Sequence, residues 1–226
     1  MINLLKNQIK IFFDKLGYEV INKNQKIAEL SKEDENLIKL ISQYSMTPQI
    51  RIFTLLQSLR YLKHKKIEGD YVECGVWKGG NLILFKKFLE NENQAENKTI
   101  YAYDTFEGMT EPDNNDFDLS SKINASDLMN NDKKKQTNVW GICSLENVKN
   151  NLTNNLKDIK NITFIKGPVE ETLLNKINIP NNISLLRLDT DWYKSTKKEL
   201  EILYDKVSPG GIIIIDDYGH WGGSKK

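Results

Sequence analysis

The chain has 226 residues, enough for one α/β domain with a substantial core. Its 32 lysines and arginines nearly balance its 31 aspartates and glutamates, so neither nucleic acid nor an anionic membrane is an expected partner. With two cysteines and two histidines, neither a disulfide framework nor a zinc site is expected, and a reducing cytoplasm is the expected compartment.

Residues 1–65 are predicted to form a helical extension. Apolar residues at its start have the spacing of an amphipathic helix: Leu4, Leu5, Ile9, Phe12, Phe13 and Leu16. That helix is expected to dock on its own domain or on a second subunit, with a membrane surface as the less favoured alternative. No apolar run reaches the length of about 18 residues that a membrane span needs. Ser31 predicts the N-cap of a second helix, and Thr47 with Pro48 predicts the cap and first residue of a third.

Residues 66–226 alternate short strands with helices and form the second predicted unit. Five strands are predicted, at 71–74, 99–103, 162–166, 183–188 and 212–215. Thr196 and Glu199 have the spacing of a capping box and predict a helix that begins near Ser195. Apolar strands separated by helices are typical of a parallel sheet covered on both faces. The predicted fold class is therefore α/β, with a mainly parallel sheet flanked by helices.

Acidic residues lie at or just beyond the ends of four of the five predicted strands. They are Glu73, Asp104, Asp189, Asp216 and Asp217. Because ligands bind beyond the carboxyl ends of the strands in such sheets, this pattern predicts a site there. The polar segment 110–145 follows the second strand. It is either a lid over the substrate or a disordered insertion, and the sequence leaves both open.

A glycine-containing turn follows the first strand, with Gly75, Gly79 and Gly80. Glycines let the backbone approach a ligand closely, although an ordinary tight turn is the alternative. The turn matches neither the glycine motif of dinucleotide-binding proteins nor the phosphate-binding loop of nucleoside triphosphatases. Asp104 at the end of the second strand is placed to accept hydrogen bonds from a ribose, with a helix cap as the alternative. A methyl donor, which has a ribose but no phosphate, fits this combination.

Adjacent carboxylates at the ends of the fourth and fifth strands repel each other unless they are protonated or bind a cation. Asp189 ends one strand, and Asp216 with Asp217 ends the other. Oxygen ligands suit Mg²⁺ or a similar hard cation, which would lower the pKa of an acceptor hydroxyl. Asp189 is then a candidate base. The alternative is that Asp191 caps the next helix and Asp217 caps a turn.

One histidine and four aromatic residues remain open to two interpretations. His220, three residues beyond Asp217, is either a general base or pocket-lining residue, or a plain surface histidine. The aromatic residues either stack on a ligand or, as is favoured for each alone, pack in the core. They are Trp77, Phe106, Trp192 and Trp221.

Five motifs, in order along most of the chain, carry a resemblance to a known family. They are SMT at 45–47, GDYVECGVWKGG at 69–80, YDTFEGM at 103–109, LRLDTDWYKST at 186–196, and SPGG at 208–211 continuing into DDYG at 216–219. With them the sequence resembles the macrocin O-methyltransferase (TylF/MycF) family of S-adenosyl-L-methionine- and Mg²⁺-dependent sugar O-methyltransferases.

The resemblance implies a Rossmann-like class I methyltransferase fold in 66–226. It implies methylation of a sugar hydroxyl on a natural product or surface glycan, by a homo-oligomer whose N-terminal helices lie near the active site. S-adenosyl-L-methionine is expected at Glu73, Gly75, Val76, Gly79, Gly80, Asp104, Thr105 and Phe106. Mg²⁺ is expected at Asp189, Asp216 and Asp217, with Asp189 and His220 as catalytic residues.

The sequence departs from the family after the fifth strand, where family members continue with a helix and two more strands. The sheet is therefore expected to lack its last strands. This departure motivates a second hypothesis, a non-catalytic binding or interaction protein that keeps the donor-binding half. A metal-dependent hydrolase that uses the aspartates is a third and weaker one, since it needs neither Glu73 nor Asp104.

Overall fold

The structure is a computed structural model that describes residues 9, 12, 13, 15–17, 30–92, 98–132 and 140–226. The chain divides into two compact units, Met1–Glu35 and Asn36–Lys226. Leu4 and Leu5 of the predicted amphipathic helix lie outside the described residues. No helix in the described part of the chain is both long and apolar enough to cross a membrane.

Two helices precede the sheet. Helix α1 spans Lys32–Ile41, and the Asp34 N–H donates to Ser31 Oγ at 3.1 Å, which confirms the predicted cap. Helix α2 spans Gln49–His64 and buries the apolar face Ile52, Leu55, Leu56, Leu59 and Leu62. The predicted cap of α2 is wrong, because Pro48 holds the N-cap position and no side chain caps the helix. The Thr47 hydroxyl instead accepts a hydrogen bond from Arg187.

A five-stranded parallel sheet forms the centre of the second unit. Its strands are β1 (Asp70–Cys74), β2 (Ile100–Asp104), β3 (Ile162–Lys166), β4 (Ile183–Leu188) and β5 (Val207–Ile215). Their order is β3-β2-β1-β4-β5, and each neighbouring pair is parallel. Every residue of β4 is buried, as its mainly apolar run predicts, and the buried set includes Ser184 and Arg187. Strand β5 is longer than predicted, because 208–211 fit into it at a register shift opposite β4.

Helices connect the strands and follow the last one. They are α3 (Gly80–Asn91), α4 (Ala125–Asn131), α5 (Leu145–Thr153), α6 (Val169–Thr172), α7 (Tyr193–Leu203) and α8 (Gly222–Lys225). The predicted capping box of α7 is wrong, because the helix begins at Tyr193 after Trp192. Thr196 and Glu199 are buried inside the helix, where Glu199 accepts a hydrogen bond from the Thr190 hydroxyl at 2.9 Å.

The described part of segment 110–145 packs against the end of the chain. Trp192 donates from Nε1 to the Thr110 carbonyl at 2.9 Å, and its ring meets Trp221 edge to face at 5.0 Å. Both rings belong to a buried cluster with Met129 of α4. Asp118 pairs with Trp221 in an isolated antiparallel bridge. These contacts favour the lid interpretation for 110–132, and they place Trp192 in the core.

Candidate active site

One cavity of about 870 Å³ lies at the carboxyl ends of the strands. The turns that follow all five strands contribute to its wall, together with 44–48 and Arg51 from the start of α2. Segment 108–132 supplies further lining residues, among them Asp118 and Leu128. The sheet topology therefore brings the predicted glycine turn and the predicted acidic residues to one cavity, as the order of a parallel α/β sheet requires.

The glycine turn is shaped by backbone contacts. Gly75 has a φ of +87°, and a Cβ there would lie 1.9 Å from the Asp189 carbonyl oxygen. A Cβ on Gly80 would lie 2.8 Å from the Tyr44 carbonyl oxygen, to which the Gly80 N–H donates. Both positions need glycine because a second backbone passes against them. Gly75 and Gly80 line the cavity, as does Val76, whereas a Cβ on Gly79 would face Val148.

Asp104 joins the turns that follow β1 and β2. Its Oδ2 accepts the N–H groups of Val76 at 2.6 Å and Trp77 at 3.0 Å, and its Oδ1 accepts the N–H of Phe106 at 2.7 Å. Burial raises the pKa of Asp104, and these N–H donors oppose that rise. The Thr105 hydroxyl also lies 3.5 Å from Oδ1, but its single proton is donated to the Gly108 carbonyl at 2.6 Å. Since a carboxylate has about four acceptor sites, Oδ1 keeps capacity for one further donor in the cavity.

Thr105 and Phe106 mainly stabilise the turn that follows β2. The Thr105 hydroxyl donates to the Gly108 carbonyl at 2.6 Å, and Thr105 lines the cavity. Phe106 is 2% exposed, packs edge to face on Phe164 at 6.3 Å and is absent from the cavity wall.

Glu73 lies beneath the cavity rather than in its wall. It is 1% exposed, and its Oε1 accepts from Asn81 Nδ2 at 2.8 Å and from Arg187 Nη1 at 2.9 Å. Its Oε2 is buried without a hydrogen-bond partner among the described residues. Burial raises the pKa of Glu73 to about 7, and the Arg187 charge opposes that rise. The structure thus keeps Glu73 out of the cavity wall, as it does Gly79 and Phe106 among the residues predicted to bind the donor.

Four aspartates, here called the acidic edge, follow β4 and β5: Asp189, Asp191, Asp216 and Asp217. Oxygen atoms of Asp189, Asp191 and Asp217 lie within 4.8 Å of one another. Asp217 Oδ2 is buried and lacks a hydrogen-bond partner among the described residues. Burial raises the pKa of Asp189 and Asp191 well above the ordinary range, and the neighbouring carboxylates add to the rise. This set of carboxylate oxygens fits a hard divalent cation.

The fourth member of the acidic edge has different partners. Asp216 Oδ2 lies 3.0 Å from Arg51 Nη1, and Asp216 Oδ1 lies 3.2 Å from Arg187 Nη2. The structure therefore groups Asp191 with Asp189 and Asp217, where the sequence analysis expected Asp216. The signal for Asp191 is its place two residues after Asp189, and its φ of +66° turns the chain at that point.

A model of the macrocin-O-methyltransferase (TylF) family matches residues 6–226. The chain belongs to this family. Curated relatives share 28–30% identity with it. Demethyldecarbamoylnovobiocin O-methyltransferase of Streptomyces niveus is 30% identical over 169 residues, which are 74% of this chain and 60% of the relative. Mycinamicin III 3''-O-methyltransferase of Micromonospora griseorubida is 28% identical over 152 residues, 67% of this chain and 56% of the relative. The chain thus spans little more than half the length of these curated relatives.

Solved structures confirm the fold class. The O-methyltransferase NovP superposes with a TM-score of 0.71 at 24% identity, covering 85% of this chain and 86% of that one. The calicheamicin methyltransferase CalS11 superposes with a TM-score of 0.52 at 18% identity, covering 92% of this chain and 88% of that one. At these identities the likeness concerns the fold, which is the class I methyltransferase fold that the sequence predicts.

In this macrocin O-methyltransferase family member, His220 lines the cavity with a partner that the sequence analysis missed. Its Nε2 lies 3.8 Å from Asp118 Oδ2, and its ring meets Trp221 edge to face at 4.9 Å. Hydrogen bonds from Ser120 and Ser121 hold the pKa of Asp118 below its usual range, so Asp118 stays ionised beside the imidazole. Asp118 lies in the lid segment, far from His220 in sequence, and no local pattern pointed to it.

Two further contacts hold the turn that carries Asp191. The Ser224 hydroxyl donates to the Asp191 carbonyl at 2.6 Å. Asp116, 1% exposed, accepts the Tyr193 N–H at 2.8 Å and so caps the start of α7. The lid segment and the residues after β5 therefore support the acidic edge from outside the sheet.

Proposed function

We propose that this family member transfers a methyl group from S-adenosyl-L-methionine to a sugar hydroxyl of a natural product or surface glycan, assisted by a divalent cation. One observation carries the proposal: the glycine turn with Asp104 and the acidic edge open into the same cavity. The names of the two relatives point the same way, since one is a novobiocin-type O-methyltransferase and the other methylates mycinamicin III at its 3'' position.

The donor half of the cavity is the side with Gly75, Val76, Asp104 and Thr105. Close backbone packing at Gly75 fixes the turn before any ligand binds, so the turn does not have to be ordered by the ligand. The remaining acceptor capacity of Asp104 Oδ1 suits one ribose hydroxyl.

Asp189 and Asp217 would hold the cation, with Asp191 or Asp216 as third ligand. A bound cation supplies a Lewis acid that lowers the pKa of an acceptor hydroxyl. The protein's own part is to orient the carboxylates. Arg187 Nη1 lies 2.7 Å from Asp189 Oδ2, and Arg51 Nη1 lies 3.0 Å from Asp216 Oδ2. Ser224 holds the backbone carbonyl of Asp191. Asp189 and His220 both line the cavity and are the two candidates to receive the proton of the hydroxyl.

The direct test incubates the protein with S-adenosyl-L-methionine, Mg²⁺ and a panel of glycosylated natural products. Methylated products are then measured by mass spectrometry. The variants are Asp189→Asn and Asp217→Asn, and exposed Asp205→Asn is the matched control. We expect product to fall at least about a hundredfold in the first two, as for a removed electrostatic contact to the transition state, and to stay within twofold in the control. Unchanged turnover in folded Asp189→Asn and Asp217→Asn would exclude the metal-assisted reaction.

A second measurement decides the third ligand. Mg²⁺ affinity is measured by calorimetry for Asp191→Asn and Asp216→Asn. The grouping of ligand oxygens within 4.8 Å predicts the larger loss for Asp191→Asn. A larger loss for Asp216→Asn would show that Asp216 leaves its two arginines to bind the cation, as the family resemblance implies.

A further inference from the structure

A single buried guanidinium connects the elements around the acidic edge. Arg187 is 1% exposed and lies on β4, and its Nη1 donates to Asp189 Oδ2 at 2.7 Å and to Glu73 Oε1 at 2.9 Å. Its Nη2 donates to Thr47 Oγ1 at 3.2 Å and lies 3.2 Å from Asp216 Oδ1. Burial lowers the pKa of Arg187, but the three carboxylates outweigh burial and the net pKa is raised.

The second member of this network is Glu73. The two hydrogen bonds to its carboxylate come from Arg187 on β4 and Asn81 on α3. Glu73 is absent from the cavity wall, whereas Asp104 and Asn81 belong to it. A ligand in the cavity therefore reaches Asp104 directly and meets Glu73 only through its neighbours.

The charges explain why both members are needed. Two carboxylates of the acidic edge, Asp189 and Asp216, share the guanidinium. A fixed positive charge this close competes with a metal cation unless a further carboxylate balances it. The carboxylate of Glu73, whose Oε1 lies 2.9 Å from Arg187 Nη1, supplies that balancing charge. Loss of either partner of such a buried pair leaves an uncompensated charge next to the site.

We propose that Glu73 and Arg187 are positioning residues of the cation site and not donor-binding residues. Arg187 holds one oxygen of Asp189 and leaves the other for the cation. Glu73 keeps Arg187 from neutralising the acidic edge. The inference rests on the proposed function, because it assumes that the acidic edge binds a divalent cation, and it reassigns Glu73 from the donor to the metal.

The test measures two affinities separately at pH 8, where Glu73 is ionised. In the absence of donor, Mn²⁺ binding is measured from the electron paramagnetic resonance signal of the ion that remains free. S-adenosylhomocysteine binding is followed by calorimetry, without metal. Glu73→Gln keeps a carbonyl oxygen for Asn81 and Arg187 but removes the charge. We expect its Mn²⁺ affinity to fall about tenfold, as for one unit charge at short range in a partly buried site, and its S-adenosylhomocysteine affinity to stay within twofold.

Asp104→Asn is the matched control and is expected to show the reverse, with weakened S-adenosylhomocysteine binding and unchanged Mn²⁺ binding. If Glu73→Gln does not fold, Arg187→Lys replaces it, since lysine keeps the charge but lacks the planar fork that reaches several partners. Arg187→Lys is likewise expected to weaken Mn²⁺ binding and to leave S-adenosylhomocysteine binding unchanged.

Three results would overturn the inference. Glu73→Gln with normal Mn²⁺ affinity and S-adenosylhomocysteine affinity as weak as that of Asp104→Asn would return Glu73 to the donor site. Equal loss of both affinities in the folded variant would show a general structural role. Wild-type protein that binds no Mn²⁺ would refute the cation in the proposed function itself, and the inference with it.

Discussion

At the scale of single residues, burial decides what each carboxylate does. Asp104 is the last residue of β2 and Glu73 the last but one of β1, and both were expected to bind the donor. Asp104 faces the cavity while it holds two turns together, whereas Glu73 is enclosed by Asn81 and Arg187. The sequence predicts both carboxylates at the correct end of the sheet. It cannot predict which one faces the ligand, because that depends on a partner more than a hundred residues away.

Replacing Asp104 by Asn tests its double role. The amide cannot accept at both positions, so at least one buried N–H group loses its acceptor, at a cost of roughly 1–3 kcal/mol of stability. We expect a lower melting temperature together with at least tenfold weaker S-adenosylhomocysteine binding, measured by calorimetry. Asp205→Asn, at an exposed residue, is the control and should change neither. Full affinity in Asp104→Asn would exclude a donor contact at Asp104.

Glu199 predicts a pH dependence of stability. Burial raises its pKa from 4.5 to about 8, and the hydrogen bond from Thr190 opposes the rise. Between these two pH values the unfolded chain releases the proton that the folded chain retains, so the free energy of unfolding falls as pH rises. The Glu199→Gln side chain does not titrate, so this variant lacks that fall in the free energy of unfolding. We expect the variant to gain about 2–3 kcal/mol relative to wild type between pH 5 and pH 8, by urea unfolding.

Exposed Glu201, on the same helix, supplies the matched variant Glu201→Gln, which should follow the wild-type curve. A Glu199→Gln curve parallel to wild type across that range would show that the carboxyl titrates as an ordinary one.

At the scale of elements, the strands could be predicted, but two of the three predicted helix caps were wrong. Apolar runs decide the strands, and β3 and β4 begin and end where the sequence predicts. The predicted caps of α2 and α7 are wrong because the groups expected to cap these helices form hydrogen bonds with residues elsewhere in the fold. The Thr47 hydroxyl bonds Arg187, and the Glu199 carboxylate bonds Thr190. The same cause explains the grouping within the acidic edge, where Arg51 and Arg187 hold Asp216 and leave Asp191 beside Asp189 and Asp217.

Gly75→Ala tests the contact between the turns after β1 and β4. A methyl group there meets the Asp189 carbonyl oxygen in a backbone conformation that disfavours side chains, at a cost of roughly 3 kcal/mol. We expect a lower melting temperature and weaker binding of both S-adenosylhomocysteine and Mn²⁺. Gly219→Ala is the matched control, because a Cβ at Gly219 meets nothing within 4 Å. Loss of only one of the two affinities would show that the turns adjust independently.

At the scale of the whole molecule, cation binding should stabilise the second compact unit. A ligand that binds only the folded state at about a hundred times its Kd adds about 2.7 kcal/mol. We expect Mg²⁺ to raise the melting temperature of wild type and of Asp205→Asn, and to leave Asp189→Asn and Asp217→Asn unchanged, by calorimetric scanning. An equal rise in all four proteins would indicate a general salt effect.

The contact between Gly75 and Asp189 has a consequence for how such a protein changes its substrate. Backbone packed against backbone fixes the spacing between the glycine turn and the acidic edge, so neither can shift without the other. Segment 108–132 and the residues after β5 supply other lining residues, among them Asp118, Leu128 and His220. Under the proposed function, a new acceptor can be accommodated by exchanging those side chains while the spacing of the proposed donor and cation sites stays constant. Redesign of acceptor choice belongs in the lid and leaves the turn untouched.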